Sequence, residues 1–145
     1  MPEYSSYRLY HHFLHCAKLH HKCAAGAFKR TGVYRGQPYL MHILNEYPGI
    51  SLRTLAARME SEPATITRMV RRMEVHGLIR RELDPEDSRV HHFYLTERGQ
   101  FKRRETEEVH RELGRRLFRG FSKDEKAFLE TAFARMTENI RKEGK

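Results

Sequence analysis

Two short amphipathic helices set a few residues apart, followed by two β-type runs across a tight polar turn, constrain this chain more than any other feature. Ser51 is a good N-cap, and Leu52, Leu55, Ala56 and Met59 then recur three and four apart, the apolar face of a helix over 52–59. Glu60 closes that element. Ser61 is expected to cap the next helix, with Pro63 in its first turn, where a missing N–H costs nothing. That helix runs to about His76, and Gly77 is the residue expected just past its end. Leu78–Leu83 and Val90–Leu95 read as strands joined by the turn Asp84-Pro85-Glu86-Asp87-Ser88. Helix, turn, helix and hairpin in this order make a winged helix-turn-helix.

The flanks are helical. Tyr10, Phe13, Leu14, Ala17, His21, Ala24 and Phe28 form one stripe of a helix over 7–28, and Tyr39, Leu40, Ile43 and Leu44 one over 35–46, ended by Tyr47-Pro48-Gly49. Thr96 caps a long helix over about 97–119. Ser122 and Glu125 form a capping box opening a last helix to about Arg141. These outer stripes carry more apolar residues than a small three-helix core can bury, which predicts a dimerisation platform. The expected class is mainly α with a small β-hairpin wing (α+β). Residues 1–34 would form an N-terminal dimerisation helix, 35–99 the winged helix-turn-helix, and 100–145 C-terminal dimerisation helices.

Composition narrows the class further. The chain has 145 residues, two Cys and no run of 18 apolar residues, so a disulfide scaffold and a membrane span are excluded. With no signal-like segment at Met1, a cytoplasmic protein is expected. The formal net charge of +9 points to a polyanionic partner. Its distribution is uneven: residues 1–40 carry +5, residues 96–145 carry +4, and residues 51–95 only +1. The surplus in the flanks serves as a steering field, as phosphate contacts from Arg30 and Arg35, or simply as solubility. Single arginines must therefore carry the inference in the centre.

At about 100° per residue, Met69, Val70 and Met73 fall beside Ile66 and pack inward. Ala64, Arg68, Arg71 and Val75 form the opposite face, with Thr65 and Arg72 on one flank and Thr67 on the other. Small residues near the helix start allow close approach to base edges. Arg68 is long enough for bidentate contact with guanine, while Arg71 and Arg72 lie later and suit phosphates. A solvated helix face is the plain alternative for such a charge run. At the hairpin tip, Arg89 sits beside Asp84, Glu86 and Asp87. Pairing of an arginine with Asp87 or Asp84 would fix the wing's shape, and Arg89 would enter a narrow minor groove.

These residues reach a family pattern. Asp84-Pro85-Glu86-Asp87-Ser88-Arg89 followed by Tyr94-Leu95-Thr96-Glu97-Arg98-Gly99 resembles the wing signature of the multiple-antibiotic-resistance regulators, the MarR family. Leu55-Ala56, Ala64–Val70, Met73-Glu74 and Gly77-Leu78-Ile79 are similar to its helix-turn-helix, and Gln37 fits the start of its second helix. The resemblance runs from about residue 36 to 99. It implies a homodimeric transcription factor, usually a repressor of nearby genes, on a palindromic operator in double-stranded DNA. It also implies Arg89 as the minor-groove arginine and Thr65, Thr67 and Arg68 on the reading helix. The DNA-contact set is then Ser61, Ala64, Thr65, Thr67, Arg68, Arg71, Arg72, Ser88 and Arg89. Many members release DNA on binding a small phenolic effector, and some answer to metal or oxidation. Tyr10, Phe13, Tyr39, His42 and Phe101 are the expected lining of such an effector pocket, with core aromatics as the alternative.

Five of the ten histidines lie between residues 11 and 21. His12, Cys16 and His20 share one helix face, and Cys23 stays near it. This set suits either zinc, with a fourth ligand from a partner helix, Glu107 or His110, or a thiol sensor. It equally suits plain surface histidines and small hydrophobic thiols at a dimer seam. Two other function classes compete with a regulator. A winged-helix protein-interaction module without a DNA role fits the near-neutral centre. Catalysis is disfavoured, since neither a phosphate-binding glycine loop nor a nucleophile motif occurs.

Overall fold

A computed structural model describes residues 5–144; residues 1–4 and 145, the extreme ends of the expected 1–34 and 100–145 regions, lie outside them. The described residues form two compact units, one up to His110 and one from Arg111. The first contains α1 (Ser6–Lys29), α2 (Gln37–Glu46), β1 (Ile50–Ser51), α3 (Leu52–Arg58), α4 (Pro63–Val75), β2 (Ile79–Leu83), β3 (His91–Leu95) and the first part of α5 (Glu97–Leu117). The second holds the rest of α5 and α6 (Lys123–Glu143). No helix among the described residues is long and apolar enough to cross a membrane.

The core of the first unit is built by the stripes read from sequence. Leu40, Met41, Leu44, Leu55, Ile66 and Met73 are fully buried, joined by Val70, Ile79 and Phe93. Burying each such side chain contributes about 1.5–3 kcal/mol, which is what holds helices as short as α3 in place. Ser51 caps α3 as expected, its hydroxyl accepting from the Thr54 N–H. At the entrance to α2 the side-chain carbonyl of buried Gln37 accepts from the Tyr34 N–H at 3.0 Å, so the buried amide helps shape the turn before the helix.

Two expectations are corrected. The cap of α4 is Glu62, not Ser61; the Ser61 hydroxyl turns back to donate to the Met59 carbonyl. Pro63, as the first helical residue, requires an extended residue before it, and Glu62 takes that conformation. The sheet also has three strands rather than two. β1 pairs antiparallel with β3, giving the order β1-β3-β2, with Ile50 opposite Phe93 and Arg81 opposite Phe93 from the other side. Two residues are too short to show an alternating pattern, so the sequence carries no strand signal there.

The junction from α4 into the wing is tightly specified. Gly77, at φ +71°, lets the chain reverse while its N–H reaches the Glu74 carbonyl and the Leu78 N–H reaches that of Met73, each at 2.9 Å. Thr96 locks the other end of the hairpin. Its N–H donates to the Leu78 carbonyl, its hydroxyl donates to that of Gly77, and the same oxygen accepts from the Gly99 N–H. Lys102 of α5 reaches the Thr31 carbonyl after α1 at 3.0 Å.

In the second unit, the Ser122–Glu125 capping box forms as expected. The Ser122 N–H and hydroxyl hold the Glu125 carboxyl below its ordinary range. Phe118 and Phe121 meet edge to face before α6.

Candidate nucleic-acid interface

One face of α4 is anchored and the other is open. Ile66, Val70 and Met73 are buried, whereas Ala64, Thr65, Arg68, Arg71, Arg72 and Val75 are exposed, the division expected from helical spacing. Val75 is 85% exposed, an unusual place for an apolar side chain. Thr67 is half-buried and its hydroxyl is engaged by the Pro63 carbonyl. Arg72 does not stand free: its guanidinium lies 5.0 Å from the centre of the Tyr34 ring. Arg68 and Arg71 are exposed long cations on the same face, and Ser61 and Ser88 flank the helix start and the wing tip.

The wing tip is organised by two carboxylates with different duties. Asp84 Oδ1 accepts from the Glu86 and Asp87 N–H groups at 2.8 and 3.0 Å, which shapes the turn. Its Oδ2 takes the His92 Nε2 at 2.7 Å. Asp87 accepts from the Arg89 backbone and, in a fork, from Arg89 Nε and Nη2 at 3.0 and 3.3 Å. The arginine paired at the tip is thus Arg89 itself, and its partner is Asp87. Hydrogen bonds to His92 and to the backbone hold the Asp84 carboxyl below its usual range, and those to Arg89 do the same for Asp87. Arg89 remains 89% exposed. An acidic tip therefore still presents a cation outward.

A groove of about 690 Å³ separates α4 from the hairpin and the start of α3. Arg53, Arg71, Arg81 and Arg89 line it against a single acidic side chain, Glu74, which takes the Arg81 Nε at 3.0 Å. The Nδ1 of His91, another lining residue, is buried without a partner. Arg53, Arg81 and His91 escape a reading of helix faces. The hairpin's two-residue period finds Arg81 and His91, since Arg81 pairs with buried Phe93; Arg53 lies on α3, two residues after its Ser51 cap. The near-neutral total of residues 51–95 conceals this segregation. Arginines gather in the groove, while Glu82, Asp84, Glu86 and Asp87 lie at and beside the tip.

A second cavity, of about 610 Å³, lies among α1, the turn after it, α2 and His110. Ala24, Ala25, Phe28, Val33 and Pro38 supply its apolar wall. Lys29, Arg35, His21 and His110 supply cationic or protonatable groups, with Tyr34 and Tyr39 beside them and no carboxylate in the lining. Burial is the main cause that lowers the His110 pKa; Glu107 opposes it, and the nearby His20 and His42 add to the lowering. Of Tyr10, Phe13, Tyr39, His42 and Phe101, Tyr39 is in the lining of this cavity. His42 stacks on Tyr39, with ring centres 6.3 Å apart, outside the lining. Tyr10, Phe13 and Phe101 are exposed and lie elsewhere. The stripe that includes Tyr10 and Phe13 leaves α1 without one buried residue.

His12, Cys16, His20 and Cys23 are all exposed, and both thiols are free. Among the described residues no three His, Cys, Asp or Glu side chains come close enough to share a metal ion.

Residues 34–91 match the family described as the MarR family. The HTH-type transcriptional repressor IacR of Pseudomonas putida is 35% identical over 83 residues, 57% of this chain and 50% of that protein, so the match spans about half of that relative. The crystal structure of MarR superposes with a TM-score of 0.75 at 25% identity, over 92% of this chain and 98% of that one. FabT of Streptococcus pneumoniae, solved in complex with DNA, superposes at 0.76 and 16% identity, over 94% and 99%.

Proposed function

We propose, from the match of residues 34–91 to the MarR family, that the chain is a homodimeric, sequence-specific DNA-binding transcriptional regulator that represses nearby genes from a palindromic operator. The observation that carries this reading is the pairing of the open α4 face with a wing whose arginine is both fixed by Asp87 and exposed. Ala64 and Thr65 leave room for base edges, Arg68 suits guanine, and Arg71 suits a phosphate. Arg89 enters the minor groove. A second copy of the chain is the natural cover for α1 and α6, neither of which has a buried residue. Tyr7, Leu9, Tyr10, Phe13, Phe128 and Ile140 are among the large apolar side chains left open there. Dimerisation would also supply the two-fold symmetry that a palindrome needs.

The test is fluorescence anisotropy on an inverted repeat from the upstream region of the gene, with a scrambled duplex as competitor. Arg89→Ala should weaken operator binding by about tenfold or more, one fully engaged contact. Binding indifferent to competitor sequence, and unchanged by Arg89→Ala, would favour a protein-interaction module instead.

A small anionic aromatic molecule, such as a phenolic acid, fits the 610 Å³ cavity as the relieving signal. The supporting observation is that Tyr34 lines the cavity and lies under Arg72 of α4, while Met69 of α4 packs on Gly36 of the same lining. A ligand that displaces Tyr34 therefore acts on the reading helix directly. It relieves repression only if it binds the DNA-incompetent arrangement more tightly. Salicylate titrated into the protein–operator complex checks this: release is expected, and Arg35→Ala should blunt it.

A further inference from the structure

His92 has no place among the DNA contacts, yet it ties together the pieces that aim them. Its ring is partly buried on β3 and bonded at both nitrogens. Nδ1 lies 2.7 Å from the Gly49 carbonyl oxygen, in the turn before β1, and Nε2 lies 2.7 Å from the Asp84 carboxylate. A carbonyl oxygen and an ionised carboxylate are both acceptors only. A neutral imidazole has one N–H, so either tautomer would direct a lone pair at one of these oxygens. Only the imidazolium donates to both. From Asp84 the connections continue to the Glu86 and Asp87 N–H groups, and Asp87 in turn grips Arg89.

We propose that His92 is a positioning residue of the wing: as an imidazolium it clamps the Asp84 turn to the Gly49 carbonyl, and so presents Arg89 to DNA. This rests on the DNA-binding reading above. The charges around the ring favour the protonated form. The Asp84 bond first, then the Gly49 bond, raise the His92 pKa against a smaller lowering by burial, and Glu82, its partner across the strands, adds to the rise. Arg80, on the neighbouring strand, pairs its guanidinium with Glu82 and lies over the Tyr94 ring. On the other elements packed against β3, Glu46 of α2 bonds to Asn45, Arg58 of α3 lies over Tyr47, and Arg53 of α3 lines the groove. β1 contributes the uncharged Ser51 opposite the ring.

The sign follows from the raised pKa. The clamp is fully present below the ordinary histidine value of about 6.5 and is lost as pH rises through the higher value in the folded protein. Asp84, with its lowered pKa, keeps the anionic end in place well into mild acid.

The experiment has two arms. Histidine side-chain NMR of the free protein follows the His92 ring from pH 5.5 to 9, with Asp84→Asn for comparison. Operator anisotropy at constant ionic strength then compares wild type with His92→Gln from pH 6 to 8.5. The expected ring pKa lies above the ordinary value and falls back in Asp84→Asn. His92→Gln, whose two N–H donors sit on one nitrogen and cannot span acceptors at opposite sides of the ring, should bind roughly tenfold more weakly at pH 6, one charge-assisted bond's worth, and converge with wild type as pH rises through the ring pKa found by NMR. Titration at or below 6.5, or superimposable pH profiles for the two proteins, overturns the proposal. Wild type that binds no operator at any pH overturns the DNA reading and the positioning role with it. A raised ring pKa in that case still marks the clamp itself as real, so the two failures are told apart.

Discussion

Gly99→Ala separates two physical arguments that give opposite signs. Gly99 lies in the first turn of α5 and has no left-handed φ. By helix propensity alone, alanine there should stabilise the protein by about 1 kcal/mol. Packing says otherwise. A Cβ at Gly99 would fall inside the van der Waals surface of the Leu78 carbonyl oxygen, 3.0 Å from its carbon and 3.1 Å from Leu95 Cδ2. The obstacle is backbone, not the end of a flexible side chain. Relief requires α5 to draw away from the start of the wing, against the Thr96 bonds to Leu78 and Gly77. Overpacking costs about 1–3 kcal/mol, and one weakened hydrogen bond adds roughly 1 kcal/mol. Against the propensity gain, the net expectation is a loss of roughly 1–3 kcal/mol. Urea unfolding followed by circular dichroism, at one fixed protein concentration, measures it. Gly114→Ala is the control on the same helix, since a Cβ there meets nothing within 4 Å. It should gain up to about 1 kcal/mol. If Gly99→Ala matches or exceeds wild-type stability, the close approach of α5 to Leu78 does not constrain this position.

Arg68→Ala should relax base preference at one operator position, while Arg71→Ala should weaken all sequences alike and reduce the salt slope by about one; competition with operator variants distinguishes them. Arg72→Ala should change the response to a cavity ligand more than the DNA affinity itself, because Arg72 packs on Tyr34; the same salicylate titration reads this out. Ser122→Ala should cost about 1 kcal/mol of stability, and helix content by circular dichroism should fall with it. It should also raise the pKa of Glu125, whose present stabilising contribution is complete above the unfolded value and is lost as pH falls through the lower folded one. An acid titration of stability that is identical in the two proteins would refute that last assignment.

The sequence alone determined every element but β1, and their order. Periodicity placed the core on Leu40, Leu44, Leu55, Ile66, Val70 and Met73 because a buried stripe must repeat at helical spacing. Caps at Ser51 and Ser122 and the reversal at Gly77 were legible because each is settled within a few residues of chain. The same spacing turned Arg68 and Arg71 outward, and the turn residues placed Arg89 at the tip. Tertiary structure decided what depends on partners distant in sequence. Pro63 moved the α4 cap to Glu62, and β1 exists only because Ile50 finds Phe93. The cavity formed around His110 and Tyr34 rather than Tyr10, Phe13 or Phe101, because cavities arise where elements meet, which no single stripe records. His92 shows the difference most clearly. In sequence it is one of two adjacent histidines in a strand; in the fold, Gly49 and Asp84 bring two acceptors to its two nitrogens, and that convergence assigns its charge.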